Sequence, residues 1–143
     1  MALKLLIIHT DELFRRQLSE RMRIEKYLVL EASREAEAGD IIQKSNLDVV
    51  LLGVAGPRQN SLSLLKMIKE MRPFTEVILL TALEEHSLYA SIQAMQLGAF
   101  DDLLVPLDMN ALLSRIREAY TRKKERVKAK RSMMGKGRKS RTA

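Results

Sequence analysis

The stretch of residues 47–57 constrains the fold of this 143-residue chain more than any other part of the sequence. It contains a short apolar run rich in β-branched residues (49–52), which follows Asp48 and is closed by two glycines and a proline. Because so short a run shows no polar side, it predicts a strand that is buried on both faces. Such strands occur in parallel sheets that helices cover on both sides.

Four further short apolar runs alternate with segments of helical periodicity. The five predicted strands are residues 4–8, 27–30, 48–52, 76–81 and 103–105. The residues expected to cap the helices between them are Thr10, Ser33, Asn60 or Ser61, and Asp108. In the fourth helix, Leu88, Ile92 and Met95 repeat on one face. This alternation, with short connections, predicts a doubly wound, five-stranded parallel α/β sheet with right-handed crossovers.

The charge of the chain is divided unevenly along its length. Residues 1–120 hold 14 Lys and Arg against 17 Asp and Glu, a balance of −3, whereas residues 121–143 hold 11 basic residues and one acid, a balance of +10. We therefore divide the chain into a domain (1–120) and a basic C-terminal tail (121–143). We expect the tail to extend the last helix and then to become disordered after Gly135 and Gly137.

Composition argues against several classes of function. The chain has no cysteine, which excludes disulfides and thiolate metal sites, and its two histidines are too few for a histidine-based metal cluster. No glycine-rich phosphate-binding motif is present, so nucleotide chemistry and a cofactor are not expected. The N-terminal apolar run (5–8) is too short for a signal peptide or a membrane span, and we expect a soluble, cytoplasmic protein.

The basic tail has two interpretations. It is either a surface that binds nucleic acid without sequence preference, through phosphates, or a solvated helix extension followed by disorder. Because no aromatic residue is interleaved with its cations, stacking on bases is not supported, and attraction to an anionic membrane is a further alternative. The tail cations considered for binding are Arg122, Lys123, Lys124, Arg126, Lys128, Lys130 and Arg131.

Three stretches together resemble a known family, the receiver domains of bacterial two-component response regulators, with the CheY-like, flavodoxin-like (βα)5 fold. They are residues 47–57, residues 77–82 (VILLTA), and residues 94–101 (AMQLGAFD) followed by Pro106-Leu107-Asp108. The resemblance covers residue 3 to about residue 120. It implies strand order 2-1-3-4-5, with helices one and five on one side of the sheet and the other helices on the opposite side.

The resemblance also locates the phosphorylation site of the family in this chain. In receivers an acidic pair after strand one holds magnesium, and here those positions are His9 and Thr10. The phosphate-accepting aspartate matches Gly53, and the conserved lysine matches Val105. Without these groups the chain resembles a degenerate receiver, or pseudo-receiver, that holds no metal. The degenerate pocket comprises His9, Thr10, Asp11, Gly53, Thr81, Val105 and Pro106.

Other roles for single residues of this pocket stay open. Thr81 matches the hydroxyl that contacts the phosphoryl group in the family, and Asp102 matches its aromatic switch residue. Asp11 and Glu12 could hold a metal if the loop slides by one residue, although acids also suit a helix N-terminus. His9 could be a displaced phosphate acceptor or a hydrogen-bonded structural group. Asp102 and its neighbour could pair with a partner or be solvated.

We therefore predict a signalling module, not an enzyme, that acts through phosphorylation-independent protein–protein contacts. The alternatives are a nucleic-acid-associated protein that uses the tail and a receiver that is phosphorylated at a non-standard acceptor. In the family, helix four, strand five and helix five form the output face, through which a homodimer could form. In this chain the expected output face includes Tyr89, Gln93, Asp102, Arg115 and Glu118.

Overall fold

The structure, a computed structural model, describes the backbone of residues 2–54 and 58–142, and the side chains in these ranges except those of residues 54, 58–59 and 136–142. Strands and helices alternate along this chain. The elements are β1 (Lys4–Ile8), α1 (Glu12–Ile24), β2 (Leu28–Ala32), α2 (Glu35–Lys44), β3 (Val49–Val54), α3 (Arg58–Met71), β4 (Glu76–Ala82), a short 3-10 turn (Leu83–Glu85), α4 (Leu88–Gln96), β5 (Asp101–Val105) and α5 (Met109–Thr142).

The five strands form one parallel sheet in the order β2-β1-β3-β4-β5, which confirms the predicted topology. The sheet separates two apolar cores. One core contains buried residues of α1 and α5, and the other contains buried residues of α2, α3 and α4. The helices therefore divide between the two sides as predicted.

The central strand β3 explains why its sequence is apolar throughout. Val50 and Leu52 pack in the core of α2, α3 and α4, whereas Val49 and Leu51 pack in the core of α1 and α5. All four side chains are buried. Because burial of one such side chain stabilises a fold by about 1.5–3 kcal/mol, a polar residue at any of the four positions would be costly.

The predicted starts of α1 and α2 are each wrong by one residue. Asp11, not Thr10, caps α1, because its carboxylate accepts a hydrogen bond from the Phe14 backbone N–H at 3.1 Å. The N-cap of α2 is Arg34, not Ser33, and its side chain makes no capping hydrogen bond. The Ser33 hydroxyl instead donates to Glu37 Oε1 at 2.7 Å, which ties the chain before the helix to its first turn.

The predicted caps of α3 and α5 have opposite outcomes. Because α3 is already helical at Arg58, Asn60 and Ser61 lie inside the helix and neither is its cap. Residues 55–57, which precede this helix, lie outside the described residues. Asp108 caps α5 as predicted, since its carboxylate accepts from the Ala111 backbone N–H at 3.2 Å.

The apolar face that we identified on α4 is turned toward solvent. Leu88, Ile92 and Met95 are 73%, 48% and 47% exposed, respectively. The residues that α4 buries are the small side chains of Ala90 and Ala94. Periodicity thus located the helix, but the two alanines, which allow a close approach to the sheet, determine which side is buried.

The course of α5 differs from the expected disorder after Gly135 and Gly137, which stays a prediction. Helix α5 continues through Gly135 and Gly137 to Thr142. Each glycine costs a helix only about 1 kcal/mol relative to alanine, and no proline interrupts the lysines, arginines and methionines around them.

Within the described residues, no helix has both the length and the apolar character that crossing a membrane requires.

Candidate functional site

The carboxyl ends of the parallel strands lie together at one edge of the sheet, which we call the carboxyl edge. The register aligns Ile8 of β1 with Leu52 of β3, and Thr81 of β4 with the last residue of β3. His9 follows β1 directly, and Gly53 follows Leu52. The sequence therefore brings the predicted pocket positions of three strands to one place.

The His9 side chain fills the space beside Gly53. A Cβ atom added at Gly53 would lie 2.1 Å from His9 Cδ2, far inside van der Waals contact. The imidazole also stacks on Phe14, with 4.5 Å between ring centroids and 37° between the ring planes. The backbone N–H of Asp11 donates to His9 Nδ1 at 2.9 Å. The imidazole can thus occupy this position only because residue 53 has no side chain.

The environment of His9 favours its neutral form. Burial of the ring lowers the pKa of His9 below its ordinary value of 6.5; the Asp11 carboxylate opposes this shift and the Arg15 guanidinium adds to it. Arg15 is held in place because its Nη1 donates to the His9 carbonyl at 2.8 Å and its Nε donates to Glu31 at 3.1 Å. A neutral imidazole that accepts a backbone hydrogen bond is consistent with a structural role.

The Thr81 hydroxyl, a second polar group of this edge, is hydrogen-bonded to β5, which is in turn hydrogen-bonded to α4. The buried Thr81 hydroxyl donates to Asp102 Oδ1 at 2.5 Å, and the Ser91 hydroxyl of α4 donates to Asp102 Oδ2 at 2.7 Å. Ser91 Oγ also lies 3.2 Å from His86 Nε2. The carboxylate therefore links β4, β5 and α4. Sequence reasoning missed Ser91 and His86, although an acid inside an otherwise apolar strand predicts nearby hydrogen-bond donors.

The remaining predicted pocket positions are an apolar residue, an exposed hydroxyl and a carboxylate that caps a helix. Val105, at the end of β5, is half-buried against the core of α1 and α5, and the peptide bond to Pro106 is cis. Thr10 is exposed, and the Asp11 carboxylate is occupied as the cap of α1. Across the described part of the chain, no group of three or more histidine, cysteine, aspartate and glutamate side chains could hold a metal ion.

The expected output face combines exposed and internally paired residues. Tyr89 is 74% exposed on α4, and Gln93 is half-buried on the same helix. The Arg115 guanidinium pairs with Asp101 at 2.7 Å and with Glu118, and it lies over the Phe100 ring at 4.6 Å. The two aspartates of β5 are therefore not simply solvated: Asp101 pairs with α5, and its neighbour binds Thr81 and Ser91.

At the opposite, amino edge of the sheet, the basic tail returns to the domain. Lys123 is only 8% exposed, and its Nζ lies 2.7 Å from Asp48 Oδ1. Asp48 Oδ2 accepts the backbone N–H of Lys4 at 2.8 Å. Arg126 Nη1 lies 2.8 Å from Glu76 Oε1, and Glu76 is 1% exposed. The first turns beyond residue 120 are thus docked on the starts of β3 and β4 and are not a detached tail.

One further cation, Lys69, helps to hold the amino edge together, and Arg126 makes a second contact there. Lys69 Nζ donates to the carbonyls of Pro73 and Thr75 at 2.8 and 2.9 Å, and burial lowers its pKa, an effect that Glu76 opposes. The Arg126 guanidinium lies 5.2 Å from the centre of the Phe74 ring. Sequence reasoning treated Arg126 as an external charge, because pairing with Glu76 across 50 residues has no local signature.

Comparison with known proteins gives a consistent result. The sequence profile of the response regulator receiver domain matches residues 5–117. Over 92 residues the chain is 41% identical to the DNA-binding transcriptional regulator NtrC of Proteus hauseri, a match that covers 62% of this chain and 19% of NtrC. It is 35% identical over 113 residues to an uncharacterised response regulatory protein of Yersinia pestis, covering 77% of this chain and 45% of that protein. The chain thus matches less than half the length of each of these curated relatives.

Solved structures agree with this assignment. A response regulator receiver domain protein from Clostridium thermocellum superposes with a TM-score of 0.78 at 30% identity, covering 85% of this chain and 97% of that chain. The CheY-like receiver domain from Methanospirillum hungatei JF-1 gives a TM-score of 0.80 at 21% identity, covering 88% and 99%, and supports the fold alone. On the profile match and the shared fold, this chain belongs to the response regulator receiver domain family.

Proposed function

We propose that this receiver acts as a signalling module through phosphorylation-independent protein–protein contacts. The observation that carries the proposal is the position of His9, whose ring occupies the space that any side chain at residue 53 would need. A receiver that accepts a phosphoryl group needs a carboxylate nucleophile, and Gly53 supplies none. In this proposal, the pocket of His9, Gly53 and Thr81 keeps the fold but not the chemistry of the family.

The charges around the pocket support the same conclusion. Magnesium prefers hard oxygen ligands that include carboxylates, whereas His9 contributes a neutral imidazole and the Asp11 carboxylate caps a helix. A transferred phosphoryl group also needs a cation to balance its charge, and Val105 carries none. The Thr81 hydroxyl, which would face such a group, is bonded to Asp102 instead.

The partner surface that we propose is the face formed by α4, β5 and α5. Four large side chains of α4, Leu88, Tyr89, Ile92 and Met95, are exposed there, and Leu104 of β5 is 41% exposed. A cluster of exposed apolar residues on a soluble domain is characteristic of an interaction site. The link from Thr81 through Asp102 to α4 supports a fixed position of this face that does not depend on phosphorylation. A second copy of the chain is the partner that can be tested first.

Phosphorylation can be tested by intact-mass spectrometry after incubation with acetyl phosphate and magnesium. We expect no gain of a phosphoryl mass in the wild-type chain, and none in the Gly53→Asp variant, because the other site groups are missing as well. A known active receiver, treated in parallel, verifies the reagent. A phosphoryl adduct that maps to the carboxyl edge would support a receiver with a non-standard acceptor and contradict the proposal.

The partner surface can be tested by sedimentation equilibrium. We expect a concentration-dependent mass for the wild-type chain and a monomer for Ile92→Asp, since a charge in the centre of an apolar interface is strongly unfavourable. Ile24→Asp on α1 is a matched control, because Ile24 is also exposed, at 70%, but lies away from α4. Equal self-association of both variants would contradict a homodimer through α4.

Association with nucleic acid is a second candidate function, favoured by the balance of +10 over residues 121–143. The name of the NtrC relative describes a DNA-binding protein, but the match covers only 19% of it. The stronger support is the charge carried on α5 beyond residue 120. Binding without sequence preference is expected, because contacts to phosphates carry no base information.

A further inference from the structure

Helix α5 beyond residue 120 has an inner face that is neutralised by the domain. Lys123 pairs with Asp48, and Arg126 pairs with Glu76, each within 2.8 Å. Both acids are largely buried at the amino edge of the sheet, with side-chain exposures of 16% and 1%. These two cations are committed to the fold, and a partner could recruit them only by breaking buried ion pairs.

A different flank of the same helix carries exposed cations in a row. Arg117, Lys124, Lys128 and Arg131 are all exposed. Their spacings of seven, four and three residues place them on one side of an α-helix. At 1.5 Å per residue, the row is about 21 Å long. We call these four residues the basic flank.

The basic flank borders open grooves, and the acids that line them, Asp48 and Glu25, are already paired with Lys123 and Arg21. Lys124, Lys128 and Arg131 line a groove of about 670 Å³ together with Asn46 and Arg72 at the amino edge. Arg117 lines the neighbouring groove, which also includes Lys26 and Tyr27. An elongated polyanion could therefore lie along the flank without displacing part of the domain.

The packing of α5 argues against a membrane as the occupant. An interfacial helix inserts a continuous apolar face into the lipid, but Leu112, Leu113 and Ile116 of α5 are buried against the sheet. The exposed large apolar side chains in the described part of this helix are those of two adjacent residues, Met133 and Met134, which do not form such a face. A second copy of the same flank is opposed by repulsion between like charges. Duplex nucleic acid avoids both difficulties. It needs no apolar insertion, and it attracts the flank because it carries one negative charge per about 1.7 Å along a rigid axis.

We infer that the basic flank binds the phosphate backbone of duplex nucleic acid, while Lys123 and Arg126 act only within the fold. This inference rests on the second candidate function and not on the α4 surface. Four phosphate contacts correspond to a log–log salt slope of about −4 for duplex DNA. The sequence holds four more basic residues after Gly135, and their charge would make the slope more negative.

The test is a salt titration of binding to a short, fluorescently labelled DNA duplex, followed by anisotropy. The variant Lys124→Gln/Lys128→Gln/Arg131→Gln removes three flank cations, and we expect its slope to be less negative by about 3. A matched variant, Arg16→Gln/Arg34→Gln/Lys66→Gln, removes the same charge from exposed positions on α1, before α2 and on α3. We expect its slope to equal that of the wild-type chain, and circular dichroism verifies that both variants are folded.

The outcomes distinguish DNA binding by the basic flank from a general attraction of DNA to any positive charge of the chain. A less negative salt slope in the flank variant alone supports the inference. Equal changes of the slope in the two triple variants, or a wild-type slope near zero, would overturn it. Phosphatidylcholine vesicles with and without phosphatidylserine form a second arm. Flank-dependent binding to the anionic vesicles but not to the duplex would assign the flank to membranes and would also overturn it. Neither arm depends on acetyl phosphate labelling or on self-association, so a failure here is separate from a failure of the proposed signalling role.

Discussion

The two edges of the sheet differ in the charged groups that they contain and in how these groups are paired. At the carboxyl edge, a neutral imidazole packs against a glycine, and the nearby Thr81 hydroxyl is bonded to Asp102. At the amino edge, Asp48 and Glu76 lie at the starts of adjacent strands and are paired with cations from the far end of the chain. The carboxyl edge is therefore closed by packing, whereas the amino edge is closed by ion pairs.

This difference indicates where substitutions should have large effects. A buried ion pair that loses one partner leaves an uncompensated charge, which costs more than a lost neutral contact. We therefore expect the amino edge, away from the pocket implied by the family, to be the more sensitive to single polar substitutions. The carboxyl edge should respond mainly to changes of volume. Four predictions test this comparison, in order of decreasing effect.

The largest effect is expected for Asp48→Ala. This change leaves the buried Lys123 ammonium without its carboxylate and the Lys4 backbone N–H without its acceptor. We expect the free energy of unfolding to fall by about 3 kcal/mol, as measured by urea denaturation. In Asp48→Ala/Lys123→Met, where no unpaired charge remains, much of this loss should be recovered. A loss below about 1 kcal/mol in the single variant would show that the pair is effectively solvated.

The next effect is steric and concerns Gly53→Ala at the carboxyl edge. A methyl group at this position meets the His9 ring, so we expect a loss of about 2 kcal/mol in the free energy of unfolding. The same substitution in a His9→Ala background should cost at least about 1 kcal/mol less, because the ring is gone. Purely additive costs in this double-mutant cycle would contradict the proposed packing of His9 against Gly53.

A smaller effect is expected when Asp102 is replaced by alanine. The buried Thr81 hydroxyl then loses its acceptor, which costs about 1–2 kcal/mol. Because Ser91 also loses its bond to Asp102, the substitution should accelerate amide hydrogen exchange more in α4 than in α1. Thr81→Val in the Asp102→Ala background should restore part of the stability. If exchange in α4 is unchanged, the carboxylate does not hold that helix.

The smallest effect is a pH dependence that originates at His9. Burial holds its folded-state pKa below the ordinary value of 6.5, so the folded chain binds the proton less readily than the unfolded chain does. Stability should therefore be complete above pH 6.5, fall as the pH decreases from 6.5 toward the folded-state pKa, and level off below it. Urea denaturation from neutral to mildly acidic pH, with His9→Gln as the control, measures this slope. The same slope in both chains would assign the effect to other groups.

The fold could be predicted from the sequence because its signals are local. The apolar run of β3 reflects the burial of that segment alone. The side of α4 that is buried could not be predicted. The large residues mark one face of this helix, whereas the close approach to the sheet is made by Ala90 and Ala94.

The candidate site was predictable only in part, for a related reason. Resemblance located His9, Gly53 and Thr81, because pocket positions follow from the ends of the strands. Their contacts could not be derived, since the ring of His9 turns into space that only the absence of a side chain at Gly53 creates. Similarly, the Lys123–Asp48 pair joins residues 75 positions apart, and a count of charges along the chain does not reveal it.

The unbroken course of α5 has a mechanical consequence. Its 34 residues extend over about 51 Å, and only the first part packs on the sheet. The ion pairs of Lys123 and Arg126 lie where the helix passes the amino edge, and about 24 Å of helix separates Arg126 from Thr142. A tilt of about 10° around these pairs would displace the far end by about 4 Å, so the helix would amplify small rearrangements at Asp48 and Glu76.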